Sequence, residues 1–152
     1  MQTVIPLLLG VAGWELLWWE RRRSHRRRLY AKAGVVAQQL GRPLVVVGAP
    51  DMGATLGPGC GDITVDIGES RCPVFLQADI TRPLPFANDS VVVFVSCVLE
   101  YVDDYPAAVA ELRRVSGGYC YVARVEPWSL VAYFYPGARR RLPARIAGLE
   151  VA

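Results

Sequence analysis

The chain carries little equipment for acid–base or covalent catalysis. Its single histidine, His25, stands inside the run RRRSHRRR, so the remainder can assemble neither a Ser/His nor a Cys/His pair. Four cysteines, Cys60, Cys72, Cys97 and Cys120, form no CxxC pair and no metal-ligand spacing. That pattern predicts no metal site and four buried free thiols in a reducing compartment. The stretch GATLGPGCG (residues 53–61) is glycine-rich in the manner of a phosphate loop, but the Lys-Ser/Thr pair that grips phosphate and magnesium is missing. No catalytic residue emerges from side-chain chemistry alone. A group of arginines, Arg139 to Arg141, follows Tyr133, Phe134 and Tyr135; it is either a solvated face or a contact for anionic lipid or an acidic partner.

What must position any chemistry is a chain of 152 residues, enough for one domain with a real core. It is 53% apolar, with a mean hydropathy of +0.25. Its formal charge of +3 is unevenly spread. Residues 1–28 hold six arginines and two glutamates, while residues 29–152 are nearly balanced. A basic nucleic-acid-binding domain is therefore excluded, as is a disordered chain.

Residues 3–19, TVIPLLLGVAGWELLWW, form an apolar run broken only by Glu15. A helix of that length reaches about 26 Å, slightly short of a bilayer's hydrocarbon core. Trp14, Trp18 and Trp19 lie at its end, where an interfacial aromatic belt would place them, followed by Arg21, Arg22, Arg23, Arg26, Arg27 and Arg28. The arrangement predicts a single transmembrane helix in the inner (plasma) membrane, with the rest of the chain on the cytoplasmic side. It is the reverse of a cleavable signal peptide, which puts its basic residues first. An interfacial helix, a core helix and a partner-binding helix remain open readings of the same residues. Glu15 within the run points to integral membrane protein subunits as neighbours. The expected organisation is an anchor over residues 1–28, a linking helix over 29–41 stopped by Gly41, and an α/β domain over 42–152.

In that domain, β-branched apolar runs predict strands at residues 44–47, 63–67, 74–77, 91–95 and 119–125, the fourth central. Ala108, Val109, Leu112 and Val115 recur at helical spacing, with Glu111, Arg113 and Arg114 expected outward and Gly117-Gly118 as the stop. Strand–helix–strand alternation implies an open, mostly parallel α/β sheet of about five strands. Such sheets bind ligands beyond the C-terminal strand ends, near the topological switch point.

The stretch from Ala78 to Pro127 resembles the class I S-adenosylmethionine-dependent methyltransferases of the small-molecule "type 11" group, and the resemblance covers roughly residues 42–127. Asp79, Leu84, Pro85, Phe86, Asp89, Ser90, Ser96, Leu99, Glu100, Asp103, Glu111, Arg114, Val115, Gly117 and Gly118 stand in register with that pattern. The resemblance implies a reduced Rossmann-like methyltransferase sheet and S-adenosylmethionine as the cofactor of an active member. It also implies that Gly48 belongs to the cofactor loop, that Asp66 accepts from the ribose hydroxyls, and that Asp79 meets the adenine amino group. Either aspartate could instead cap loop N–H groups at a strand end.

The first half departs from the family. Val46 stands where an acid is usual, and Pro50 takes the second glycine position of G-x-G-x-G, with neither an N–H nor access to positive φ. The sequence therefore leads to the expectation of a degenerate, membrane-anchored, non-catalytic accessory or scaffolding subunit of an integral membrane complex (respiratory, photosynthetic or transport), with no cofactor, metal or nucleic-acid partner. The alternative is a methyltransferase acting on a small lipophilic substrate at the membrane.

Overall fold

The protein is described from a computed structural model covering residues 4–51, 58–125 and 141–151. Helix α1 (Val4–Leu40) precedes β1 (Leu44–Val47), β2 (Ile63–Asp66), β3 (Phe75–Gln77) and β4 (Val92–Ser96). Helix α2 (Tyr105–Ser116), β5 (Cys120–Ala123) and β6 (Glu150–Val151) follow. The strands form one sheet in the order β3-β2-β1-β4-β5-β6, and every adjacent pair is parallel. The five expected strands are present, with β1 and β4 central. A sixth, two-residue strand, beyond the five expected, closes the β5 edge.

Alternation along the strands divides the interior into two layers, since successive side chains point to opposite faces. Val45, Val47, Val93, Val95 and Val122 face α2, where Ala108, Val109, Leu112 and Val115 meet them. Leu44, Val46, Val92, Phe94, Tyr121 and Ala123 face α1, where Leu29, Ala33 and Ala37 meet them. Small residues at 33 and 37 let that helix lie close to the sheet, and Tyr30 packs edge-on against Phe94 with ring centroids 5.4 Å apart.

The helix ends follow from local chemistry. Asp104 caps α2 by accepting from the Ala107 N–H at 3.0 Å, and Gly117 ends it in the left-handed conformation with φ 59°. Gly41, at φ 63°, ends α1, and the Arg42 N–H returns to Ala37 O at 3.0 Å. Two of the three α2 residues expected to face outward do not. Arg114 donates to Glu111 and to the carbonyls of Phe86 and Leu84, while Glu111 Oε1 accepts from the Leu84 N–H at 2.6 Å. The pair clamps the β3–β4 connection against α2.

Two expectations about the rest of the chain are overturned. No helix among the described residues is long and apolar enough to cross a membrane. Helix α1 spans 37 residues, about 55 Å, but its apolar run is short, and Glu15, Glu20 and Arg21 fall within the same few turns. Its C-terminal half is instead a core element: Leu29, Ala33 and Ala37 are buried on the sheet. The cysteines are not all free either. Cys60 and Cys72 form a disulfide with Cα atoms 5.8 Å apart, tying the β1–β2 connection to the β2–β3 connection; Cys97 and Cys120 remain thiols.

Candidate ligand cleft

Strand order reverses between β1 and β4, and the backbone there leaves a cleft at the C-terminal strand ends. Gly48 leaves β1 with φ 97°; a Cβ on it would lie 2.7 Å from Val98 Cγ2 and 2.9 Å from Ser96 O. Only glycine allows the β1 and β4 ends to approach so closely. Between them opens a cavity of about 330 Å³, lined by residues that include Gly48, Asp66, Asp79, Val98, Tyr101 and Asp104. All three residues that the sequence singled out for cofactor binding thus meet on one cavity.

Both aspartates also do the capping work that was their alternative role. Asp66 Oδ2 accepts from the Ala49 N–H at 2.7 Å and Oδ1 from the Gly68 N–H at 2.8 Å, fixing the connections on either side of β2. A carboxylate has about four acceptor positions, so each oxygen keeps one for a ligand. Asp79 Oδ1 accepts from both the N–H and the hydroxyl of Thr81, at 2.9 and 2.8 Å. These bonds, the backbone one foremost, hold the Asp79 carboxyl below its ordinary range. Its Oδ2 has no hydrogen-bond partner among the described residues.

The loop that should cradle a methionine carboxylate is differently employed. The Gly48 N–H donates to Val65 O at 2.9 Å, the Ala49 N–H is held by Asp66, and Pro50 has none. Asp51 turns away to the β2–β3 connection, accepting from Ser70 Oγ at 2.7 Å and from the Arg71 N–H. The Ser70 hydroxyl, then the Arg71 N–H, keep its carboxyl below the ordinary range. Residues 52–57 of the loop lie outside the described part. Its far end rests on α1, where the Tyr30 hydroxyl accepts from the Gly61 N–H at 3.2 Å.

Residues 62–122 match the family model of a methyltransferase domain. The match supports the class I S-adenosylmethionine-dependent methyltransferase resemblance over 61 of 152 residues, β2 to β5. It takes in Asp66, Asp79, Glu100 and the Glu111–Arg114 clamp, and begins after β1 and Gly48. No curated protein and no solved structure matches the chain. Within the methyltransferase-domain stretch, the β4–α2 loop supplies Val98, Tyr101, Val102, Asp103 and Asp104 to the cavity wall. Of these, the sequence marked only Asp103, as part of the family pattern.

The N-terminal residues proposed for a membrane interface divide into two groups. Arg21 and Arg23 sit over the Trp18 and Trp19 rings at 5.2 and 5.3 Å from their centroids, and Arg28 donates to Ser24 Oγ at 3.0 Å. Arg22 donates to Trp18 O, Arg27 is exposed, and Trp14 packs edge-on against Trp18. Arg26 instead points inward, donating to Cys97 Sγ at 2.8 Å. Cys97 is held at φ 53° at the end of β4, and burial pushes its thiol up to about 11 despite the guanidinium. Beside it Glu100 is buried, accepts from the Val125 N–H at 2.6 Å, and is raised by burial. Helix α1 therefore runs antiparallel to the strands, and its first turns project beyond the cleft edge of the sheet. Of the second arginine group only Arg141 is described, and it is exposed; Arg139, Arg140 and the aromatic residues before them lie outside.

Proposed function

We propose that this protein is a methyltransferase-fold module that holds an S-adenosylmethionine-type ligand by its adenosine half and serves as a non-catalytic accessory subunit at a membrane complex. One observation carries the binding part: Gly48, Asp66 and Asp79 line a single cavity at the switch point, inside or beside the matched methyltransferase stretch. The lack of turnover follows from positioning. Methyl transfer depends on near-attack geometry, and residues 48–50 offer no uncommitted N–H to fix the methionine end.

The accessory role rests on surfaces that lack a covering element among the described residues. Leu16 and Leu17 on the α1 overhang are 62% and 64% exposed, and in the β2–β3 connection Ile67 and Val74 are 71% and 55% exposed. Apolar surface of this kind marks a contact site. The arginine–tryptophan stacks along α1 suit the headgroup layer around integral membrane subunits.

Calorimetric titration of the full chain with S-adenosylmethionine tests the binding part. Binding that Asp66→Asn and Asp79→Asn each weaken supports it; saturation unaffected by both variants refutes it. Incubation with methyl-labelled cofactor and membranes tests the rest, and label appearing in a lipophilic product would establish the methyltransferase alternative. That alternative draws support from the apolar wall formed by Val98, Tyr101 and Val102, which an acceptor could lie against.

A further inference from the structure

We infer that the projecting end of α1 docks the protein directly on an anionic phospholipid leaflet, entering it along the helix axis with an arginine collar at the phosphates. The inference rests on the membrane part of the reading above, names lipid itself as the contact, and is independent of what fills the cleft. Val11, Leu16, Leu17 and Trp19 are all exposed on this end of the helix. Val11, Leu16 and Leu17 stand about 100–140° apart around the axis, one on each third of the circumference. A protein groove, or a headgroup layer in which the helix lay flat, would call for apolar residues on one face only. Exposed apolar residues on every side suit a surround of acyl chains. The band from Val11 to Trp19 is about 12 Å long, which one leaflet of roughly 15 Å accommodates. No crossing is needed, in keeping with a helix too short in its apolar run to span.

Charge is segregated along the axis in the same way. The run RRRSHRRR (residues 21–28) contains no acid, and Arg21, Arg23, Arg27 and Arg28 are exposed. Among the described residues the ion pairs lie elsewhere, at Lys32, Arg42 and Arg114, so no carboxylate neutralises this collar. Arg21 and Arg23 over the Trp18 and Trp19 rings join the two layers, with indoles at the interface and guanidiniums on its aqueous side. Glu15 does not oppose entry. It is half-buried with Trp18 and Arg22, on the side of the helix that continues into Leu29, Ala33 and Ala37. Long arginine side chains beside an apolar segment reach phosphate oxygens readily, and each adds attraction to an anionic surface. The complement of this end is therefore a layer apolar inside and anionic at its rim.

Co-sedimentation of the full-length chain with protein-free vesicles tests this, using phosphatidylcholine mixed with phosphatidylglycerol and phosphatidylcholine alone. The mixed vesicles should bind at least roughly tenfold more tightly, since each exposed arginine near an anionic surface adds about fivefold. Raising the salt concentration should narrow that ratio, as should Arg27→Gln combined with Arg28→Gln. Val11→Ser, Leu16→Ser and Leu17→Ser should each weaken binding to the mixed vesicles by roughly three- to tenfold. All three should melt with the parent protein, because these side chains are exposed. Absence of binding to the mixed vesicles overturns the inference and leaves contact with protein subunits as the membrane reading. Equal binding to both vesicle types, or a ratio indifferent to salt, overturns it by removing the charge. A serine variant of the three that binds as the parent does shows one-sided contact and overturns axial entry. None of these outcomes touches the adenosine-binding reading, which calorimetry with S-adenosylmethionine decides separately.

Discussion

Replacing Cys60 and Cys72 together by serine removes the one covalent tie between the two connections that flank β2. The crosslink spans a sequence separation of 12. Closing a loop of that size restricts the unfolded chain by about 3 kcal/mol. The native side should change little, because other bonds at the same place survive. Asp51 still accepts from Ser70 Oγ and the Arg71 N–H. Cys72 Sγ lies 3.7 Å from Asp51 Oδ1, so a hydroxyl at position 72 finds an acceptor there. The loss therefore falls on the unfolded state, and for a chain of this length it lowers Tm by roughly 6–12 °C. Scanning calorimetry of the oxidised protein, the same protein with reductant, and the double variant gives the comparison. The last two should melt together, below the first. Thiol titration in denaturant should find only Cys97 and Cys120 reactive before reduction. Four reactive thiols would refute the pairing, and coincident melting of all three samples would refute the loop-entropy argument.

Four further outcomes follow from the packing. Gly48→Ala should lose more than about 1 kcal/mol in denaturant unfolding, because its φ of 97° and the close Val98 and Ser96 atoms leave a methyl group no room. Leu112→Ala, fully buried under the sheet, should lose about 2–5 kcal/mol with an unchanged m value. Helix α1 should respond unequally along its length. Ala33→Leu should overpack the layer against Phe94 by about 1–3 kcal/mol, while Leu16→Ser on the overhang should stay within about 0.5 kcal/mol. Equal effects would deny the division of the helix. Glu100→Gln should flatten the pH dependence of Tm. Burial raises the Glu100 carboxyl, so the folded state keeps a proton that the unfolded state releases above the ordinary carboxylate range, and wild-type stability falls as pH rises through that window. The variant has no such proton, and parallel curves for the two proteins would contradict the assignment.

How much of this was legible depended on the range of the signal. The run LVVV became β1 without adjustment because four consecutive β-branched or leucine residues state their burial on both faces. Gly41 and Gly117 marked helix ends because a left-handed cap needs no distant partner. Asp66 and Asp79 could be placed at strand ends, and those ends meet wherever parallel strands share a sheet. The disulfide was hidden for the opposite reason: nothing in the spacing of Cys60 and Cys72 reveals that two loops on either side of β2 come within 5.8 Å. The inward turn of Arg114 was hidden likewise, since its carbonyl acceptors lie about thirty residues earlier in the chain. Periodicity placed it on the outer side of α2 without knowing that the β3–β4 connection crosses there.

The reassignment of α1 also changes how the chain's hydropathy is understood. The sheet accounts for much of the mean of +0.25. Its two central strands, β1 and β4, are covered on both sides, so Leu44 to Val47 and Val92 to Val95 are all buried, with no polar face to dilute them. Among the described residues α1 covers those strands on one side, and α2, together with Leu84, Leu142 and Ile146, covers them on the other. The C-terminal half of α1 is thus part of the core, with Leu29, Ala33 and Ala37 buried against those strands. Its arginines then serve two ends. Arg26 reaches back to Cys97 at the end of β4, and Arg21 and Arg23 cover the tryptophans that continue past the sheet. Because the helix runs antiparallel to the strands, that continuation emerges at the same edge as the cavity of Asp66 and Asp79. A partner seated on the α1 overhang therefore lies beside the ligand cleft, not on the far side of the domain.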